Sequence, residues 1–257
     1  MTIELTDESP PSNAGGEAPA LDIQVVADRT VGYAAIQNNI PVVRALTLSN
    51  NGAAPLVDIE VVLRCVPAFA VPMTLKFERI MPGETRRISP IDLQPNHEYL
   101  SGLDEAERAS ISVTATSRGQ AIAQIRQDIE VLAYDQWAGT RSLPELLAAF
   151  CMPNSRVVDS LIANASTLLR EAPGGFSMNG YQSKHRENVW KQISAVYSAI
   201  LGEALHYSNP PASFGTDGQK IRTPERVLDG RVATCLDTAM LFASCFEQVG
   251  LHPVVLF

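Results

Sequence analysis

The 257-residue chain has few cysteines and histidines, four of each, and neither type falls in a repeated pattern. No Cys-x-x-Cys occurs, and the histidines lack the short, regular spacing that metal ligands need. A disulfide framework and a structural metal site are therefore not expected. We predict reduced thiols and no cofactor, as is usual for a cytoplasmic protein. The cysteines are Cys65, Cys151, Cys235 and Cys245.

Positive charge is also scarce, because 20 Lys and Arg residues stand against 28 Asp and Glu residues and give a formal net charge of −8. Nucleic-acid-binding surfaces need clustered positive charge. The one basic run, Lys184-His185-Arg186, is typical of a solvated helix face. The chain has no apolar run long enough to span a bilayer and no secretory signal pattern. We therefore expect neither direct nucleic-acid binding nor membrane insertion, and a cytoplasmic location.

The pattern of apolar residues divides the chain into three parts. Residues 1–20 are acidic, contain Pro and Gly and have little apolar periodicity, which predicts a flexible tail. Residues 21–135 contain short runs that mostly alternate apolar with polar residues, which predicts an antiparallel β-sandwich of immunoglobulin-like shape. Residues 136–257 have helical periodicity, so the fold class is α+β. The predicted strands include Ile23–Val26, Arg44–Leu48, Val57–Leu63, Thr74–Phe77, Ile111–Ala115 and Ile125–Val131.

The helical part begins with three predicted helices, followed by a Pro- and Gly-rich loop over residues 208–219. In the third helix, Trp190 and Tyr197 belong to an apolar stripe. Such a stripe at helical spacing predicts core packing rather than contact with a cofactor. The predicted helices are Pro144–Phe150, Arg156–Glu171 and Glu187–Leu205.

The segment after this loop has the features of a reactive-cysteine turn. Thr223-Pro224-Glu225 predicts the start of a short helix, and Thr234 with Asp237 resembles a capping box. A further helix is therefore predicted to reach about Gln248, with Cys235 in its first turn. The unpaired N–H groups and the dipole at a helix N-terminus favour thiolate over thiol. Three arginines would add to that field: Arg222, Arg226 and Arg231.

A cysteine near the start of an apolar helix is, taken alone, more often a packing residue than a nucleophile. The resemblance to a known family favours the nucleophile. Residues 222–257, with Cys235 and Asp237 opening a helix, then Gly250-Leu251-His252-Pro253 and a predicted strand Val254–Phe257, resemble the core of the transglutaminase-like superfamily. The resemblance implies a papain-like fold in which the nucleophilic cysteine opens a helix that packs on a sheet.

In that superfamily a histidine and an aspartate follow on the next strands. Only Cys235 can be assigned here, as the catalytic nucleophile, because the chain stops within the first predicted strand. We therefore expect a truncated domain that lacks its C-terminal strands and is inactive as this fragment. The apolar surface left uncovered would favour a homodimer through the truncated sheet.

A second likeness covers more of the chain. Asn188–Tyr197, Pro210–Phe214, Gly218–Arg222 and Thr234–Asp237 are similar to the N-terminal region of large bacterial multidomain proteins that carry superfamily 1 helicase motifs further on. The resemblance implies that this chain is an N-terminal fragment of such a helicase-like protein. The fragment itself has no Gly-x-x-x-x-Gly-Lys-Ser/Thr loop, so ATP binding is not expected here.

Two functions stay open on the sequence. One is amide hydrolysis or acyl transfer on an unknown protein or peptide substrate in the full-length parent, with Cys235 as nucleophile. His185 and His206 are alternative bases, although an upstream histidine breaks the superfamily order, and His252 is expected to lie too far away. The other function is a non-catalytic protein-interaction module.

Overall fold

A computed structural model describes residues 20–212 and 214–256, so the predicted tail lies almost wholly outside the described residues. The protein is a mixed α/β structure with antiparallel sheets, as predicted. The strands are β1 (Leu21–Ala27), β2 (Thr30–Val31), β3 (Val43–Asn50), β4 (Leu56–Val66), β5 (Met73–Ile80), β6 (Thr85–Ile88), β7 (Glu107–Ser117), β8 (Gln120–Val131), β9 (Gln136–Trp137), β10 (His206–Tyr207), β11 (Gln219–Lys220) and β12 (Val232–Ala233). The helices are α1 (Tyr33–Gln37), α2 (His97–Ser101), a 3₁₀ helix (Pro144–Phe150), α3 (Arg156–Glu171), α4 (Arg186–Gly202), α5 (Phe214–Asp217), α6 (Pro224–Gly230) and α7 (Cys235–Gln248).

Two sheets form the N-terminal part of the molecule. One has the strand order β2-β8-β7-β4-β5 and is antiparallel except where β2 runs parallel to β8, and the other has the antiparallel order β1-β3-β6. Their inward side chains alternate along each strand, as period two requires. On β4 these are Ile59, Val61 and Leu63, which share one hydrophobic cluster with Leu46 and Leu48 of β3. Both sheets therefore bury their apolar faces in a common core.

The C-terminal part is built on three helices, α3, α4 and α7. The inward residues of α3 recur at three- and four-residue intervals: Val158, Leu161, Ala165 and Leu169. They share a cluster with Val196 and Ile200 of α4 and with Leu241 and Cys245 of α7. The predicted helices agree with these elements, and α7 begins at Cys235 as predicted.

The orientation of α4 differs from the prediction. Trp190 and Tyr197 were predicted to lie in the core, but they are 65% and 56% exposed. The inward face instead carries Gln192, whose side-chain oxygen accepts from the N–H groups of Asn179 (3.1 Å) and Gly180 (2.9 Å). A buried amide with its partners in place holds this face inward. Hydrophobicity alone therefore misassigned part of the buried face of this helix, because the partners of Gln192 lie in the loop before it.

The end of the chain also differs from the prediction. The segment Val254–Phe257 was predicted to be a strand, but residues 251–256 have no regular secondary structure and Phe257 lies outside the described residues. Val254 and Leu256 are exposed. A strand needs a neighbour for its backbone groups, and none of the described residues pairs with this segment. Residues 251–256 therefore contain no strand through which two copies could extend a sheet.

The N-terminal and C-terminal parts meet around Trp137, which is buried. β9, which contains it, pairs with β11, so the segment ahead of α6 is bound to the end of the β part. The Arg226 side chain of α6 pairs with buried Asp135 at 2.6 Å. The apolar cluster at this junction comprises Ala34, Trp137, Leu147, Phe150, Ile221, Leu236 and Met240. It includes the residue next to Cys235, so the position of α7 depends on both parts.

Candidate functional site

Cys235 is the first residue of α7 and is exposed to solvent. The predicted capping box is present: the Thr234 hydroxyl accepts from the Asp237 N–H at 3.1 Å, and the Asp237 carboxylate accepts from the Thr234 N–H at 2.8 Å. A capping box fixes the first turn of a helix by satisfying donors at both its positions. The turn that presents the Cys235 thiol is therefore held in one conformation.

Asp237 also ties this turn to the preceding loop. Its carboxylate, which is fully buried, accepts from the Arg222 backbone N–H at 2.8 Å and pairs with the Arg222 guanidinium at 2.7 Å. The sequence predicts only the capping role of Asp237. Its contact with Arg222 is not predicted, because Arg222 lies 15 positions away and no local pattern links the two residues. The contact depends on the tertiary path of the loop.

Two of the three arginines predicted to favour the Cys235 thiolate are paired with carboxylates. Arg222 pairs with Asp237, and Arg226 pairs with Asp135. Only Arg231 of the three takes part in none of the ion pairs found among residues 20–212 and 214–256. The paired carboxylates therefore offset the charge of two of the three arginines.

Two backbone donors of this turn have no hydrogen-bond partner in the described part of the chain: the N–H groups of Cys235 and Leu236. The first N–H groups of any helix have no partner within the helix. Here the capping box occupies the Thr234 and Asp237 donors and leaves these two unpaired. Unpaired N–H groups beside a thiol can stabilise the negative charge that forms on a carbonyl oxygen when the thiol attacks its carbon.

The other thiols are in less reactive surroundings. Burial raises the pKa of Cys65 to about 11 and, together with nearby Cys151, that of Cys245 to about 12. Burial also raises the pKa of Cys151, against a lowering by its hydrogen bond to Ser244. A raised thiol pKa reduces the thiolate fraction and with it nucleophilicity. Cys65 and Cys245 are buried, and Cys151 is partly buried.

The histidines do not complete a catalytic pair with Cys235. His206 lies in β10, where it pairs with Val232 of β12, and His185 is the N-cap residue of α4. His252 is exposed and its ring lies 5.7 Å from that of Tyr181. None of the hydrogen bonds found among the described residues joins any of these histidines to Cys235. Among the described residues, the Cys235 thiol therefore has no base hydrogen-bonded to it.

A second feature lies beside α7 on the solvent face of α4. Trp190, Ser194, Tyr197 and Leu201 follow one another at spacings of four, three and four residues, and we name this row the α4 seam. Its three large side chains are exposed, with Leu201 at 66%. Tyr197 stacks on Phe242 of α7 with ring centroids 6.0 Å apart. Monomeric proteins seldom expose large apolar side chains in a row, and such rows mark contact surfaces.

No group of three or more His, Cys, Asp or Glu side chains is arranged to hold a metal ion among residues 20–212 and 214–256. Within those ranges, no helix combines the length and the apolar character needed to cross a membrane.

Comparison with known proteins does not assign the chain to a family. No protein-family model matches it. A search of curated proteins likewise finds no match. The Cys235 turn and the α4 seam are therefore the features of the described residues that bear on function.

Proposed function

We propose that Cys235 is the nucleophile of a transglutaminase-like thiol site that, in a larger helicase-like parent protein, attacks an amide carbonyl and hydrolyses the amide or transfers the acyl group. One observation carries the proposal. The exposed Cys235 thiol shares a helix turn with two unpaired N–H groups, its own and that of Leu236. In this proposal the N-terminal sheets form an immunoglobulin-like sandwich that serves as an accessory module to a papain-like domain.

The reaction follows from these groups. The thiolate sulfur would bond to the carbonyl carbon while the carbonyl oxygen gains negative charge, and the two N–H groups would stabilise that charge. Collapse of the intermediate would expel the amine, which takes up a proton, and leave a thioester. Water or an acceptor amine would then release the acyl group. Because no described histidine is hydrogen-bonded to Cys235, the proposal assigns the base and acid to residues of the parent protein.

The test is mass-mapped alkylation of the full chain with iodoacetamide at pH 7. We expect Cys235 to be labelled first and Cys65 and Cys245 last, because both are buried. Exposure alone would give the same order, so the matched control places a thiol at an exposed mid-helix site, Ala163→Cys in a Cys235→Ser background. Cys235 should react several-fold faster than this control thiol. Equal rates would show that Cys235 is merely exposed and would overturn the proposal.

A non-catalytic interaction module is the second candidate, and the α4 seam favours it. Its three large side chains are exposed although they lie on a helix whose opposite face is well packed. Exposed aromatic side chains are enriched at the centres of protein interfaces. This role needs no chemistry at Cys235, so alkylation kinetics do not bear on it.

A further inference from the structure

The side of α7 that carries Cys235 continues into an apolar groove. Cys235, Thr238 and Phe242 lie three and four positions apart, and a step of about 100° per residue keeps them within about 60° of one another around the helix. Thr238 and Phe242 line a groove of about 240 Å³ between α4, β10 and α7, which we name the α7 groove. Residues three apart on a helix have Cβ atoms about 5–6 Å from each other. Cys235 therefore lies next to the groove, about one helical turn from Thr238.

The segment before Cys235 borders the same groove. β10 runs parallel to β12 with Tyr207 opposite Ala233, and the Ser208 N–H donates to the Ala233 carbonyl at 2.9 Å. Tyr207 and Ala233 both line the groove, and Ala233 lies two residues before Cys235. Lining residues thus stand on both sides of Cys235 in the chain, through β12 before it and α7 after it.

The lining of the α7 groove is apolar and largely without charge. Tyr197 and Phe242 both belong to it, and their rings stack with centroids 6.0 Å apart. Leu201 and Tyr207 belong to it as well, and both side chains are exposed. The described lining residues include no Asp, Glu, Lys or Arg, and His206 is the one basic residue among them. A charged group would lose its hydration there without gaining an ion pair, so the groove favours a neutral, apolar group.

The size of the groove fits one large side chain. An apolar cavity of about 150 Å³ can hold a benzene ring. The α7 groove, at about 240 Å³, has room for an aromatic ring or a branched aliphatic group. It is too small for a second element of protein structure, because a helix with its side chains is about 10–12 Å across.

We propose that the α7 groove is the substrate subsite of Cys235 and that the substrate is a peptide amide with an aromatic or branched aliphatic side chain close to the attacked carbonyl. The inference rests on the nucleophile proposed above and adds the substrate class to it. A side chain held in the groove keeps the rest of its peptide within reach of the thiol. Such positioning raises the rate of attack by replacing an encounter in solution with a step within one complex.

The test compares two alkylating reagents on the full chain. An N-benzyl chloroacetamide carries an apolar ring, and an N-hydroxyethyl chloroacetamide carries a polar group in the same position. With either reagent the sulfur bonds to the methylene carbon, chloride leaves and the thiol proton passes to water. Mass-mapped rates give the ratio of benzyl to hydroxyethyl labelling. The same ratio at the exposed control thiol, Ala163→Cys in a Cys235→Ser background, corrects for the reactivity of the reagents themselves.

The ratio at Cys235 should exceed that at the control thiol about tenfold, which is the effect that one methylene group can have in an apolar pocket. Leu201→Asn should bring the ratio down towards that of the control thiol, because an amide replaces an apolar lining group of similar size. Leu168→Asn is the matched control, since Leu168 is exposed on α3 outside the groove. Equal ratios at the two thiols overturn the inference, as does a high ratio that both variants change by the same amount.

Competition gives a readout that needs no change in the groove. N-benzylacetamide has the ring but no leaving group, so it should slow benzyl labelling of Cys235 and leave benzyl labelling of the control thiol unchanged. Benzyl labelling of Cys235 that N-benzylacetamide does not slow overturns the inference.

Iodoacetamide, which carries no side group, separates the failure of this inference from the failure of the proposed function. Fast iodoacetamide labelling of Cys235 with equal ratios at the two thiols retains the nucleophile and overturns the groove as its subsite. Equal iodoacetamide rates at Cys235 and at the control thiol overturn the nucleophile. A high benzyl ratio at Cys235 would then show an apolar binding groove, and the substrate class proposed here would fall with the nucleophile.

Discussion

Substitution of Asp237 by alanine is the sharpest test of how the Cys235 turn is built. The side chain is fully buried and accepts from the backbone N–H groups of Thr234 and Arg222, each at 2.8 Å, as well as from the Arg222 guanidinium. Alanine removes all of these acceptors at once. The Arg222 side chain, about one-third exposed, can turn to water, but the two backbone donors cannot move.

The cost can be estimated from those two donors. A buried donor left without a partner costs about 1–3 kcal/mol. Loss of a negative group at a helix N-terminus costs a further 0.3–1 kcal/mol or so. The free energy of unfolding should therefore fall by about 3 kcal/mol, a large share of the roughly 5–15 kcal/mol typical of a folded domain. Thr234→Ala removes only the hydroxyl cap and should cost about 1 kcal/mol.

Urea unfolding followed by far-UV circular dichroism measures these changes, with the transition of the helical part analysed by itself if the two parts unfold separately. Asp229→Ala is the matched control: this aspartate is exposed in the last turn of α6, and its loss should stay within about 0.5 kcal/mol. A cost below about 1 kcal/mol for Asp237→Ala, or one no larger than for Thr234→Ala, would refute the view that this carboxylate organises the turn.

Two further predictions concern Asp135 and activity. Burial raises the pKa of Asp135, although the nearby Lys220 and Arg226 charges act to lower it. The protonated Asp135 carboxyl therefore stabilises the folded state below the ordinary aspartate pKa of about 4. This stabilisation is lost as the pH rises through the raised pKa. Urea unfolding should be measured from about pH 4 upward through the raised pKa. The free energy of unfolding of wild type should fall relative to that of Asp135→Asn as the pH rises, and an unchanged difference between the two proteins would contradict this. We also expect the 257-residue chain alone to show no turnover of a fluorogenic amide, because no described histidine is hydrogen-bonded to Cys235. Turnover that disappears in Cys235→Ala would be evidence against this expectation and would bring His206 or His185 forward as the base.

The local features of the site could be read from short stretches of sequence. Thr234 and Asp237 predict a capping box because the interaction spans a single helix turn, and it forms as predicted. The same holds for Pro224 at the start of α6 and for the alternation along β4. Each of these signals is complete within a few residues.

Features that depend on distant partners were missed or misread. The apolar stripe of α4 predicted that Trp190 and Tyr197 are buried, yet the buried face of that helix carries Gln192, which is bonded to the loop at Asn179 and Gly180. The predicted strand at residues 254–257 failed for a related reason, because apolar residues form a strand only beside a strand to pair with.

The sequence by itself determined the mixed α/β class, the helix that opens with Cys235 and the capping box that fixes its first turn, since propensity and capping act over one or two turns. Only the tertiary structure decided that Asp237 binds Arg222, that the arginine field at Cys235 is largely neutralised, and that α4 exposes an aromatic seam. The physical reason is that a side chain's partner is chosen by packing between elements far apart in the chain. A buried carboxylate or amide takes whichever donors the folded backbone brings to it.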